Sequence, residues 1–283
     1  HRLSCRRRID LVFYDHLPVH HDFTAPLLRE VSKLRKTVLI LCDPRHRLFG
    51  TTQSFPILYL PHQYGFVLKL IRPRVMVTSA SGMRPLFSPP RSTILVHAFH
   101  SPVSMHMIYS EDAFDAYDVF LAAGPHHVAE VKAVGRLRGW KKRTVAQTGY
   151  FKIDAMAADY ERWKTRSDLP VVLVAPSWGP SNLVRSMGFS LIGALLGKGY
   201  AVVLRPHPHI MIYDRDKVED IRQAYGGNPH FTLDLSFDDR SHLFDAALMI
   251  SDWSGVAYEY AFVTERPVLF VDVPRKVFNP NWQ

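Results

Sequence analysis

The segment Met249 to Pro274, MISDWSGVAYEYAFVTERPVLFVDVP, carries the residues best suited to grip an anion. A small polar turn, Ser251-Asp252-Trp253-Ser254-Gly255, leads from an apolar run into a helical pattern. Free backbone N–H groups and the helix dipole converge at such a start, which makes it a ready anion site; if the chain handles a nucleotide diphosphate, its phosphates belong here. Asp252 and Ser254 are also of the type that caps a helix, and Gly255 permits close approach of backbone to ligand. Glu259, one helical turn on, can accept hydrogen bonds from ribose hydroxyls. Its neighbours Tyr258, Tyr260 and Phe262 predict partial burial, and a buried carboxylate needs a partner.

Proton chemistry points to two other places. His100 follows the apolar run Thr93–Phe99, beside Ser101 and Pro102, and imidazole can act as a general base toward an acceptor hydroxyl near neutrality. A loop histidine bonded to backbone is the plainer reading, and the nearby His97 and His106 are expected to be structural. Arg205-Pro206-His207-Pro208-His209 follows another apolar run. Arg205 is suited to clamp a phosphate, and His207 to donate a proton or hydrogen bond to a departing one. A rigid basic turn is the alternative, since two prolines fix the loop. In Ala175-Pro176-Ser177-Trp178-Gly179-Pro180, Ser177 can bind phosphate and Trp178 can pack on a base or ribose, or simply anchor the loop.

Neither half carries a Gly-x-Gly-x-x-Gly or a Walker loop, which argues against dinucleotide and P-loop nucleotide binding. The His-Pro-His spacing and the pairs His20-His21 and His126-His127 lack a matching carboxylate or cysteine cluster, so no metal or other cofactor is expected. The pairs read as solvated turn or helix-start residues, and the runs Arg6-Arg7-Arg8 and Lys141-Lys142-Arg143 as solvated charge.

These loops need strands and helices to hold them. With 283 residues and 47% hydrophobic content, the chain can build two domains with real cores. Strand patterns fall at Ile9–Tyr14, Thr37–Cys42, Pro56–Leu60, Val75–Thr78, Thr93–Phe99 and Val119–Ala123. They resume at Val171–Ala175, Ala201–Leu204, Phe231–Leu233, Leu248–Ser251 and Val268–Val271. Helical patterns at Phe23–Leu34, Pro125–Arg138, Met187–Leu196, Asp216–Tyr225, His242–Ala247 and Val256–Phe262 intervene. This alternation predicts an α/β chain of two Rossmann-like domains with mainly parallel sheets. The domains are expected at residues 1–158 and 169–283, with the polar stretch Asp159 to Pro170 as linker or connecting helix. Such domains would face one another across a cleft at the carboxyl ends of their strands.

The formal net charge of +9 favours anionic partners such as nucleotide phosphates, polyanionic polymer or an acidic membrane surface. Nucleic acid fits poorly, because the charge is spread out and no reader motif is present. Cys5 and Cys42 cannot form a disulfide framework, and a reducing cytosol suits them. No apolar run approaches the roughly 20 residues of a membrane-spanning helix. The start lacks an initiator methionine and the end stops without a helix, so both ends are expected to be truncated.

In order, FHSPVSMHMIY, DVFLAAGPHHVAEV, TGYFKID, APSWGP, LRPHPH and ISDWSGVAYEYAFVTERPVLFVDVP resemble the CDP-glycerol glycerophosphotransferase family of bacterial teichoic acid and capsule synthesis. The resemblance runs from about Ile9 to the end and is sharpest in the second half. It implies a GT-B-type fold in which the C-terminal domain binds the nucleotide donor and the N-terminal one serves the acceptor. It also implies transfer of an alditol phosphate from a CDP-linked donor to a hydroxyl of a lipid-linked or polymeric glycan. On this resemblance His100 is the base and His207 the second catalytic histidine. The resemblance implies that Arg205, Ser251, Asp252, Trp253 and Ser254 bind the donor, and the residue chemistry above adds Ser177, Trp178, Gly255 and Glu259 as expected donor contacts. The protein would work in the cytoplasm, peripherally on the inner face of the cell membrane. Ser101 stands where the family has Gly, Trp253 where it has Tyr, and the Lys usual shortly after the base is not evident. These departures mark a divergent branch and leave the donor open. A sugar transferase using a nucleotide sugar, or a nucleotide- or polymer-binding scaffold without catalysis, would share the same fold.

Overall fold

The computed structural model describes residues 9–60, 64–82, 89–164, 170–236 and 239–279. They fall into two compact units, His1–Lys152 with Phe278–Gln283, and Ile153–Val277.

The first unit is built on a seven-stranded parallel sheet: β1 (Leu11–Asp15), β2 (Thr37–Leu41), β3 (Ile57–Tyr59), β4 (Val75–Thr78), β5 (Ile94–Ala98), β6 (Val119–Ala122) and β7 (Thr144–Gln147). Spatial order is β3-β2-β1-β4-β5-β6-β7. The order reverses direction between β1 and β4, which makes that junction the topological switch point where doubly wound sheets bind ligands. Helices α1 (His21–Leu34), α2 (Tyr64–Ile71) and α3 (Pro125–Leu137) provide the crossovers that parallel strands require. Every residue of β2 is buried, as expected of a parallel strand covered on both faces. One cluster gathers Val12, Ile40, Met76, Leu95, Phe114 and Phe120, and a second, built on alternate residues of the same strands, gathers Phe13, Leu39, Leu41, Val77 and Val96. The Thr78 hydroxyl donates to the Tyr14 carbonyl at 2.9 Å and accepts the Ala80 N–H at 3.1 Å, pinning the switch point with a side chain.

The chain enters the second unit within α4 (Phe151–Glu161). Its five-stranded parallel sheet comprises β8 (Val171–Val174), β9 (Ala201–Leu204), β10 (Phe231–Leu233), β11 (Ala246–Ser251) and β12 (Val268–Phe270), in the order β10-β9-β8-β11-β12. Its switch point therefore lies between β8 and β11. Helices α5 (Phe189–Gly197), α6 (Ile210–Tyr213), α7 (Arg215–Tyr225), α8 (Ser241–Asp245) and α9 (Gly255–Thr264) complete it.

Each of the eleven expected strands is present, and β7 is the one the sequence conceals. It is a half-exposed edge strand without an apolar run. The helix expected over His242–Ala247 ends at Asp245, because Ala246 already pairs with Val171 of β8. The helix expected from Met187 begins earlier, as a π-helical turn over Val184–Gly188. The Ser186 hydroxyl there donates back to the carbonyls of Asn182 and Leu183. The stretch expected to link the domains is helical to Glu161, while residues 165–169 lie outside the described residues. His20, His21 and His127, expected in solvent, are buried, and only His126 of the four is exposed. Arg6-Arg7-Arg8 lies outside the described residues; of the other run, Lys141 and Lys142 are exposed and Arg143 is partly covered against Trp140.

Core and surface leucines of the first unit should separate cleanly. Leu39 is fully buried, so Leu39→Ala should lower unfolding free energy by about 2–5 kcal/mol. Leu34 at the end of α1 is 74% exposed, and Leu34→Ala should cost less than about 1 kcal/mol. Urea denaturation followed by far-UV circular dichroism measures both.

Candidate functional site

Two groups of polar residues lie at the carboxyl ends of strands, one in each unit. In the first unit, β1, β4 and β5 end together, and His100 follows β5 after one intervening residue. Its Nδ1 lies 3.2 Å from the Ser79 carbonyl oxygen and 2.9 Å from the Tyr109 hydroxyl. An Nδ1–H donating to a carbonyl fixes the tautomer in which Nε2 is the proton acceptor. The Tyr150 hydroxyl donates to the His100 carbonyl at 3.0 Å, so backbone and ring are both oriented. His20 stacks on the imidazole at 5.7 Å and Phe23 lies at 5.8 Å. Burial, and then the neighbouring His100, push the His20 pKa down to about 3, so this companion ring is neutral.

His97 has no exposed surface and lies among the rings of Phe99, Tyr109, Phe114 and Tyr117. Burial drives its pKa far below the ordinary histidine value. His106 is buried as well, and its carbonyl accepts from the N–H groups of Phe278 and Asn279. Both read as parts of the scaffold. Among the described residues one group could hold a metal: Asp15, His21 and His46, all buried.

In the second unit the loops after β8 and β11 meet at the switch point. The Asp252 carboxylate accepts the backbone N–H of Ser177 at 2.5 Å and that of Leu183 at 2.9 Å. The Ser251 hydroxyl donates to the Ala175 carbonyl at 2.6 Å. These bonds tie the two loops into one wall. Asn182 stiffens it by donating to the Gly179 carbonyl and to Asp214, which also pairs with Arg185.

A third segment closes the site from a distance in sequence. The Trp253 indole N–H donates to the Val273 carbonyl at 2.8 Å, laying residues 271–276 over the turn. Lys276 is thereby buried, its Nζ 2.8 Å from Ser177 Oγ and 4.7 Å from the centre of the Trp178 ring. Burial pulls the Lys276 pKa down to about 8, opposed by the charge of Asp252. Burial likewise raises Asp252, against the two N–H donors and Lys276. Both partners are thus held against their preference for the charged form, and an anion would relieve the ammonium. Gly179 makes room: its φ is +132°, and a Cβ there would come within 3.2 Å of the Lys276 side chain. Ser177, Trp178, Gly179, Pro180, Ser181, Asn182, Asp252, Trp253 and residues 273–276 line an open hollow of about 250 Å³.

Four of the nine expected donor-binding residues, Ser177, Trp178, Asp252 and Trp253, line this hollow. The others lie elsewhere. Arg205 donates to the carbonyls of Ser236 and Asp239 and lies 3.4 Å from Asp234, so it braces the end of β10. His207 accepts the His209 N–H at its Nδ1, 3.1 Å away, and its ring lies 6.2 Å from Trp178. Ser251 is spent on Ala175, and Glu259 is buried inside α9. The expected helix caps are also revised. Asp252 serves the loops after β8 rather than α9, and Ser254 occupies the N-cap position without a side-chain cap bond, followed by Gly255 as the first helical residue. Lys276 was missed by sequence reasoning. The basic pair Arg275-Lys276, just past the carboxyl end of β12, was the available signal.

Comparison with known proteins follows from this geometry. A family model described as CDP-Glycerol:Poly(glycerophosphate) glycerophosphotransferase matches residues 104–278, which include His207 and Lys276 and begin four residues after His100. No curated protein gives a match. Among solved structures, the wall teichoic acid polymerase TagF is similar at TM-score 0.59 and 12% identity, over 94% of this chain and 71% of that one. The UDP-GlcNAc 2-epimerase of Methanocaldococcus jannaschii is similar at TM-score 0.59 and 12% identity, over 93% and 83%. The S. aureus MnaA–UDP structure is similar at TM-score 0.60 and 14% identity, over 93% and 79%. These likenesses establish a GT-B-like α/β fold with two parallel sheets. The family match spans more than half of the chain, which belongs to the CDP-glycerol:poly(glycerophosphate) glycerophosphotransferase family.

Proposed function

We propose that the chain transfers glycerol phosphate, or a related alditol phosphate, from a CDP-linked donor to a hydroxyl of a lipid-linked or polymeric cell-surface glycan, releasing CMP. Family membership supports the class of reaction. The observation that carries the reading is the buried Lys276 ammonium at the switch point of the second sheet, bonded to Ser177 in an open hollow lined by the loops after β8 and β11.

In this reading Lys276, Ser177 and the Trp253 turn hold the diphosphate, and His207, beside Trp178, supports the leaving group. His100 Nε2 takes the proton of the acceptor hydroxyl. The acceptor oxygen then bonds to the β-phosphorus as the bond from that phosphorus to the bridging oxygen breaks, leaving the electron pair on CMP. Fixed cations and N–H groups aimed at the developing charge supply the electrostatic stabilisation. The formal charge of +9 supports work beside acidic lipid or polymer, and so a place on the inner face of the cell membrane. Among the described residues no helix is long and apolar enough to cross a membrane.

The test is CMP release from CDP-glycerol in the presence of a lipid-linked glycan. Wild-type protein should release CMP, and His100→Ala should slow release about 10²–10⁴-fold. An unchanged rate in that variant would remove His100 from the role of base. Turnover of UDP-sugars with none of CDP-glycerol or CDP-ribitol would instead assign a sugar transferase.

Lys276 adds a pH signature. A bound diphosphate stabilises the ammonium, so affinity for CDP should be full below about pH 8 and fall as pH rises through about 8, where the free protein loses that proton. Lys276→Met should weaken CDP binding about 10–100-fold at pH 7 and flatten the profile between pH 7 and 9. Calorimetric titration reads both; a slope that survives in Lys276→Met counts against the assignment. Gly179→Ala, which crowds Lys276 and strains the turn, should also weaken CDP binding while leaving far-UV circular dichroism unchanged.

A further inference from the structure

Three chain segments bring metal-ligating side chains together in the first unit, apart from any residue used above. Asp15 ends β1, His21 opens α1, and His46 lies in the turn after β2. All three are buried, with 1%, 6% and 3% of their surface exposed. His21 Nδ1 lies 2.8 Å from Asp15 Oδ2, and His46 Nε2 lies 3.5 Å from the same oxygen. The three donor atoms all fall within 4.8 Å of one another.

We propose that Asp15, His21 and His46 form a buried site for a divalent transition-metal ion, with zinc(II) as the best match to two imidazoles and a carboxylate. Tetrahedral zinc, with bonds of about 2.0–2.2 Å, sets neighbouring ligand atoms roughly 3.3 Å apart. The observed separations of 2.8 and 3.5 Å bracket that spacing. A second observation concerns satisfaction: His46 Nε2 is buried, faces this point and, apart from its long 3.5 Å approach to Asp15, has no hydrogen-bond partner. Nitrogen and oxygen donors of this kind select zinc and its first-row neighbours over magnesium or calcium.

The competing arrangement is a metal-free network in which Asp15 accepts N–H groups from both histidines and the Thr24 hydroxyl at 3.5 Å. His46 Nδ1 accepts the Leu48 N–H at 3.1 Å, which suits that network. Metal uptake moves the His46 proton to Nδ1 and gives up that one neutral bond, in exchange for metal–ligand bonds at three buried donors. The site would fasten the loops after β1 and β2 to the start of α1, next to His20. It does not depend on the donor or acceptor proposed above.

The full chain, stripped with a chelator and dialysed, is titrated with zinc(II) alone against a chromogenic competitor, and cobalt(II) is used as a visible-spectrum probe. About one zinc per chain, a higher melting temperature with zinc, and intense cobalt d–d bands are expected. His46→Ala and Asp15→Asn should lose the bound zinc, whereas His126→Ala, at an exposed histidine, should retain it. A folded wild-type chain that holds no zinc and melts unchanged overturns the proposal, as does full retention in His46→Ala. If the variants do not fold, the wild-type stoichiometry and cobalt spectrum decide it alone.

Discussion

The Asp252 carboxylate is the constraint on which the second unit's polar architecture depends. It reaches from the end of β11 to accept N–H groups of Ser177 and Leu183, beyond the end of β8. A parallel sheet leaves the carboxyl ends of its strands without further sheet partners, so the loops above must satisfy their own backbone groups. A side-chain acceptor at the switch point does this for two donors at once. It also places a negative charge behind the wall, which makes a buried lysine tolerable on the other side. Without Asp252, Lys276 would lose the charge that opposes its desolvation.

The two units solve the problem of a polar site over an apolar sheet in different ways. The second uses ionic and backbone bonds, and Trp178 is consumed as a platform, with Lys276 over its face and His209 edge-on at 4.5 Å. The first uses aromatic packing. His100 is gripped at Nδ1 and flanked by Tyr109 and His20, while His97, three residues earlier within β5, is sealed among rings and kept neutral. Such a cage orients an imidazole without adding charge, and the charged groups are then reserved for the ligand.

Much of this architecture was legible in the sequence. Buried parallel strands produce unbroken apolar runs, and these located every strand but the half-exposed β7. The turns at Ser177 and Asp252 were legible because small polar residues follow such runs directly. Longer-range partnerships were not. Arg205 looked like a phosphate clamp, but three acceptors near the end of β10 claim its guanidinium, and nothing in its own loop announces them. His20 and His21 looked solvated because a histidine pair has no apolar period; their burial depends on Asp15, His46 and His100, which come from three separate strands' ends. Lys276 was invisible for the same reason, lying in an irregular segment 99 residues from Ser177.

That separation has a consequence for how the protein comes into being. A ribosome releases the chain from its amino end, so β8 through β12 can assemble before the segment carrying Lys276 emerges. The sheet and its helices then exist for a time without their cation. The hollow beside Ser177 is therefore completed only after β12, once the segment carrying Lys276 has been made.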